Sequence, residues 1–198
     1  MLEQKVVCDA VICYTHIMGN SSDTDFERML TGGHPNSLGN TVEAVELVLK
    51  TPELFPKLFG CYQSKDEVVR LRVSNAMKRI ARVNPELVYS KIDSLLNETA
   101  RIDQASTQWT LAQLFDILQA LLTADQKKAA IKIMKKNVEK HTDWIVLTQT
   151  MEVLTNWSKN DSTLVQWLLT NLPKHERDQR KSVAGKATKC LQKLSKLK

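Results

Sequence analysis

Four tryptophans and one carboxylate are the residues of this chain with the clearest chemical potential. Trp109, Trp144, Trp157 and Trp167 all fall in the second half, and Asp116 lies seven positions after Trp109. Seven positions are two turns of a helix, so Trp109 and Asp116 share a similar face. An indole ring can stack on a nucleobase while a carboxylate stabilises positive charge. The same residue types have a structural use: large rings fill gaps between packed helices, and a carboxylate beside an apolar stripe faces solvent. No P-loop, dinucleotide fingerprint, serine nucleophile elbow or kinase signature occurs. The histidines His16, His34, His141 and His175 are scattered, and Cys8, Cys13, Cys61 and Cys190 form no Cys-x-x-Cys pair. Neither a metal nor a cofactor is expected. Free thiols in a reducing cytoplasm account for the cysteines.

The basic residues carry a second kind of chemistry, attraction for anions. The net charge is +6, but it is unevenly spread. Residues 1–100 hold 11 basic and 13 acidic side chains, whereas residues 101–198 hold 17 and 9. From Lys174 to Lys198 there are 9 basic residues against 2 acidic ones. Arg70, Arg72, Lys78, Arg79 and Arg82 crowd one segment; Arg177, Arg180, Lys181, Lys186, Lys189 and Lys193 crowd another. A third set, Lys127 to Lys140, lies between them. Such asymmetry fits contact with a polyanion or an acidic protein, and equally a solvated surface that keeps the chain dispersed.

The elements that must position these residues are helices. Gly (6) and Pro (5) are scarce, which leaves little material for hairpin turns. Thr51-Pro52-Glu53 and Asn84-Pro85-Glu86 repeat one helix-start grammar 33 positions apart: a capping residue, proline at the first helical position, and glutamate in the first turn. Ser64/Glu67 and Thr123/Gln126 have capping-box spacing, and Asn40 suits the N-cap of a helix over 41–50. The pattern predicts helix pairs over 52–83, 85–122 (85–97 and 106–122), 125–157 and 161–197. A short helix at 23–30 and the one at 41–50 precede them. Val73, Leu111, Leu147 and Val183 are spaced by 38, 36 and 36 residues; Ile80, Leu118, Leu154 and Leu191 by 38, 36 and 37. A sustained period near 37 points to a helical-repeat solenoid, in which stacking of neighbours supplies the core.

Within this frame, Pro52-Glu-Leu-Phe-Pro-Lys-Leu-Phe, followed by Asp66-Glu67-Val68-Val69-Arg70 and then Ala76 and Ile80, resembles the HEAT-repeat family. Gln108 stands where the second unit should carry Arg, and Trp144-Ile145-Val146 replaces Val-Arg in the third. The resemblance implies an all-α, right-handed superhelix of about four helical hairpins with an extra N-terminal helix pair. It implies that Asp66 and Arg70 join a polar ladder along the stack, and that second helices line the concave side. HEAT-like alkylpurine DNA glycosylases place tryptophans and a carboxylate beside a damaged base on a basic concave surface, the role this resemblance offers Asp116.

Residues 1–22 are expected to form a loosely attached or poorly ordered extension, and residues 23–198 the helical-repeat domain. The apolar run Val6–Tyr14 is too short to span a bilayer and is interrupted by Asp9, which also makes it a poor signal peptide. No membrane span is expected. The leading expectation is a non-catalytic scaffold that binds an acidic protein through the second-helix face, with Arg72, Arg79, Arg82, Lys186 and Lys189 as contacts. The alternative is nucleic-acid binding, with or without base excision.

Overall fold

The computed structural model describes residues 24–34 and 37–196. The expected extension over 1–22 lies outside the described residues. Every regular element among the described residues is helical. In chain order they are α1 (Phe26–Leu30), α2 (Thr41–Lys50), α3 (Phe55–Gly60), α4 (Glu67–Val83), α5 (Pro85–Tyr89), α6 (Ile92–Asn97), α7 (Ala105–Ile117), α8 (Ala124–Lys140), α9 (Trp144–Trp157), α10 (Ser162–Asn171), α11 (Pro173–Glu176) and α12 (Lys181–Ser195). Short 3-10 turns extend several of them, including Pro52–Leu54 and Thr99–Arg101.

Local chemistry sets most helix starts. Asn84 Oδ1 accepts from the Leu87 amide at 3.1 Å, and Asp161 does the same for Leu164 at 2.9 Å. Thr123 and Gln126 form a reciprocal capping box. The expected box at Ser64 and Glu67 is replaced. Asp66 is the N-cap of α4 and accepts from the Val68 amide at 2.8 Å, while Ser64 Oγ accepts from the Asp66 amide and donates to Glu27 Oε1 at 2.7 Å. Serine is thus drawn off by a carboxylate on α1, a partner that spacing along the chain does not reveal. Asn40 makes no side-chain cap bond. The helix expected over 85–97 is two, because Lys91 leaves helical geometry (φ −113°, ψ 20°) and Ser90 Oγ bonds back to the Leu87 carbonyl at 2.6 Å. The helix expected to reach 122 ends at Ile117.

The long helices pack in order: α2 on α4, α4 on α7, α7 on α9, and α9 on α12. The remaining helices α3, α5, α6, α8, α10 and α11, of which α8 is as long as α4, pack beside this row. One apolar cluster runs through the whole length, from Phe26 and Leu30 through Val73, Ile80, Leu111, Phe115, Leu147 and Met151 to Val183 and Leu194. Each long helix therefore buries one stripe and leaves another free, as an amphipathic helix in a packed layer must.

Cross-links between successive parts of the row have a regular separation. Thr31 Oγ1 donates to Asp66, Arg70 to Gln104, Tyr89 to Gln126, Gln113 to Gln149, and Lys186 to Glu152, over separations of 34 to 37 residues.

Candidate functional site

The free stripe of the long helices has a defined register. Gln113 on α7 bonds Gln149 on α9 at 2.8 Å, and Lys186 on α12 bonds Glu152 on α9 at 2.7 Å. Extended to α4 and α12 by sequence offsets of 38 and 37 residues, the unburied positions sort into four groups, with the Lys186–Glu152 pair joining the second to the third. Leu71, Trp109, Ile145 and Ser182 form the first; Asn75, Gln113, Gln149 and Lys186 the second. Lys78, Asp116, Glu152 and Lys189 form the third; Arg82, Ala120, Asn156 and Lys193 the fourth. None of the sixteen is buried. The first group is apolar except for Ser182, the second amide-rich except for Lys186, the third charged throughout, and the fourth carries Arg82 and Lys193 with Ala120 and Asn156.

The sign of the charge changes along the row of helices. Lys78, Arg79 and Arg82 crowd the α4 end, and Lys186, Lys189 and Lys193 the α12 end. Asp116 and Glu152 stand between them. The basic residues thus form two patches rather than one surface. At the α12 end Lys186 is neutralised by Glu152, which leaves Lys189 and Lys193, both exposed. At the α4 end no carboxylate among the described residues pairs with the cluster, and Arg79 Nε donates to the Asn75 side chain at 2.8 Å. Partial burial, then the neighbouring Arg82 and Arg79, push the Lys78 ammonium below the usual lysine range.

Arg72 must be removed from the expected contact set. It is 2% exposed. Its guanidinium donates to the carbonyls of Leu30 and Gly32 at 2.6 Å, of His34 at 3.2 Å and of Ser37 at 3.3 Å, and to Ser37 Oγ at 3.2 Å. The segment that leaves α1 folds over the first half of α4 and turns this arginine into an internal clamp. Gly39, at φ +49°, gives the guanidinium room, because a Cβ there would lie 2.8 Å from Arg72 Cζ.

Asp66 and Arg70 each reach a neighbouring helix, though they do not pair with each other. Asp66 accepts from Thr31, and its carboxyl is held below the usual range first by the Val68 amide and then by that hydroxyl. Arg70 donates to Gln104 at 2.7 Å and to the Ser64 carbonyl at 2.6 Å. Gln108 repeats the second of these bonds: its Nε2 reaches the Ile102 carbonyl, also six residues back, at 2.8 Å. Loss of arginine from the expected pattern therefore keeps the clamp. The cue lay in Gln108 occupying the fourth position after the cap, as Arg70 does.

The tryptophans take different roles. Trp157 is 4% exposed, and its Nε1 donates to Asp116 Oδ1 at 2.9 Å. Lys127 and Lys135 sit over the rings of Trp157 and Trp167 at 5.4 and 4.8 Å. Trp144 is 47% exposed, on the first turn of α9. Trp109 and Asp116 share the free face as their spacing implies, but the carboxylate is engaged by an indole from α9.

Burial raises the Cys61 thiol to about 11, with Glu27 and Asp25 adding to the shift, and burial also raises Cys190. The reactive species is the thiolate. In native protein at neutral pH, both cysteines are therefore expected to resist iodoacetamide and to label once denaturant is added. Peptide mass spectrometry reads each site separately. Labelling of Cys61 in the native state at the rate of a free thiol would contradict its burial.

Among the described residues, no group of three or more His, Cys, Asp or Glu side chains is placed to hold a metal ion. No helix among them is long and apolar enough to cross a membrane. The chain matches no model of a known protein family and no curated protein.

Proposed function

We propose that this protein is a non-catalytic HEAT-like scaffold that binds an acidic protein through the free face of its long helices. In this reading the chain is a right-handed superhelix of about four helical hairpins preceded by an extra helix pair. The ordered packing of α4, α7, α9 and α12, and the cross-links recurring every 34 to 37 residues, support it.

The observation that carries the binding claim is the unpaired cluster Lys78, Arg79 and Arg82. Like charges packed on one helix face repel, and among the described residues no carboxylate pairs with them. An acidic partner surface relieves that repulsion. Asp116 and Glu152 in the centre of the face weigh against a continuous nucleic-acid track, since a phosphate backbone laid across it meets two carboxylates. The half-buried Trp109 and Ile145, two helical turns from these carboxylates, offer a partner apolar contact. A reducing cytoplasmic setting belongs to the proposal and is supported by the free thiols of Cys61 and Cys190.

The test is affinity capture followed by mass spectrometry, comparing wild type with the double variant Arg79→Glu/Arg82→Glu and with Lys132→Glu on α8 as a control. Acidic proteins captured by the wild type should fall about tenfold or more with the double variant and persist with the control. Equal capture by all three proteins removes the α4 cluster from the interface. A salt-sensitive gel shift on duplex DNA, lost in the double variant, would replace the protein partner by nucleic acid.

A further inference from the structure

A second place in the fold concentrates unpaired positive charge, and it is a cavity. A cavity of about 500 Å³ lies between the Thr99–Arg101 turn and the last turns of α8. Arg101, Lys136, Lys140 and His141 line it, together with the half-buried aliphatic side chains Leu96, Ile102 and Ile133. Lys136 and Lys140 are one helical turn apart and share a face. Among the described residues, none of these three cations has a carboxylate within ion-pairing distance. The one carboxylate in the lining is Asp103.

Two further features make this a built cleft rather than a group of surface lysines. First, its inner wall includes a rigid amide pair. Asn137 is 7% exposed and Gln108 6%, and Asn137 Nδ2 donates to Gln108 Oε1 at 3.1 Å, while Gln108 Nε2 holds the Ala100 and Ile102 carbonyls at 3.2 and 2.8 Å. The backbone around Arg101 is thereby tied to α8, the helix that carries the two lysines. Second, a hydrogen bond sets the tautomer that a neutral His141 adopts. Its Nδ1 accepts from the Asp143 amide at 3.0 Å, so a neutral ring carries its proton on Nε2 and presents a donor. Three cations and an imidazole N–H thus meet an aliphatic wall.

We infer that this cleft binds a phosphate monoester that carries an apolar group. The doubly charged phosphate fits the excess of cations over the single Asp103, and guanidinium is well matched to its oxygens. The apolar part of the ligand lies against Leu96, Ile102 and Ile133. Sites that combine an apolar wall with a few converging polar groups are the usual form of a small-ligand pocket. The inference is independent of the scaffold reading, because it uses neither α4 nor α12.

The probe is phenyl phosphate, titrated into the full chain and followed by amide chemical shifts and calorimetry. Saturable binding is expected, with shifts at Arg101, Ile133 and His141. Affinity should fall about tenfold or more in Lys136→Ala/Lys140→Ala, and stay unchanged in Lys128→Ala, which is on the same helix but outside the cleft. Arg101→Ala, on the opposite wall, should also weaken binding; it keeps the test decisive if the double variant is poorly folded. Benzyl alcohol bound as tightly as phenyl phosphate would overturn the anion site, and inorganic phosphate bound as tightly would overturn the apolar contact. Absence of saturation at millimolar phenyl phosphate overturns the proposal as a whole. A glycine-flanked phosphotyrosine peptide separates the two sources of such a group. Tighter binding than phenyl phosphate assigns the ligand to a partner's side chain, and equal or weaker binding assigns it to a free ester; either upholds the cleft.

Discussion

Arg72→Ala is expected to destabilise the protein by about 3 kcal/mol, because it removes a buried charged donor from four backbone carbonyls. The guanidinium holds the described part of the segment after α1 onto α4 through Leu30, Gly32, His34 and Ser37, beside the Thr31–Asp66 hydrogen bond. Truncation leaves the buried Leu30 carbonyl without this donor, and the loss there is greater than the net value of the bond itself. For a chain of this size, about 3 kcal/mol corresponds to a fall of about 6–12 °C in Tm. Arg72→Lys should recover little, since one ammonium cannot reach carbonyls spread around a planar fork. Gly39→Ala should act on the same clamp, through its left-handed backbone and the 2.8 Å approach to Arg72 Cζ. Urea and thermal unfolding measure all three. A change within about 0.5 kcal/mol for Arg72→Ala would mean that the segment is not held by this residue.

The second large effect is expected at Gln108. Gln108→Ala strips donors from the Ala100 and Ile102 carbonyls and leaves Asn137 Nδ2 without its acceptor. The expected cost is about 2–3 kcal/mol. Gln108→Leu fills the volume but leaves the same three groups unpaired, so it should not rescue. A double-mutant cycle with Asn137→Ala isolates the contact between α7 and α8, for which a coupling of about 1 kcal/mol is expected. Independent, additive losses would show that the two amides act separately. This pair also forms the inner wall of the Arg101–Lys140 cleft, so Gln108→Ala should weaken phenyl phosphate binding without removing any cation.

Much of this architecture is local and was readable. The N-cap Asn84 and the Thr123/Gln126 box depend on groups within three residues of one another. The apolar stripes through Val73, Leu111, Leu147 and Val183 follow from helical periodicity, and all four are buried. Spacing likewise placed Trp109 and Asp116 on a common face. The cap at Ser64 and Glu67 was misread because Ser64 answers to Glu27, 37 positions earlier.

The candidate site was less legible, and the arginines of α4 show why. Arg72 and Arg79 are seven residues apart and point in nearly the same direction around the helix. Sequence therefore assigns them one role. The chain segment after α1 covers the first and stops short of the second, and only the folded arrangement contains that difference. The charge pattern has the same origin. The basic excess of the second half is a property of composition. That Asp116 and Glu152 divide it, and that Lys186 is neutralised, depends on the register between α7, α9 and α12. The cleft joins Arg101 to Lys136 and Lys140, on separate elements, and no periodicity links them.

The sequence by itself determined the helices, their caps, their buried stripes and the sign of the net charge. Each of these is decided by neighbours within a few turns. The tertiary structure alone decided which charges face solvent, which are paired and which line a cavity. Burial and pairing depend on segments about one helix pair away or more, and their contact is set by packing of the whole row rather than by local spacing.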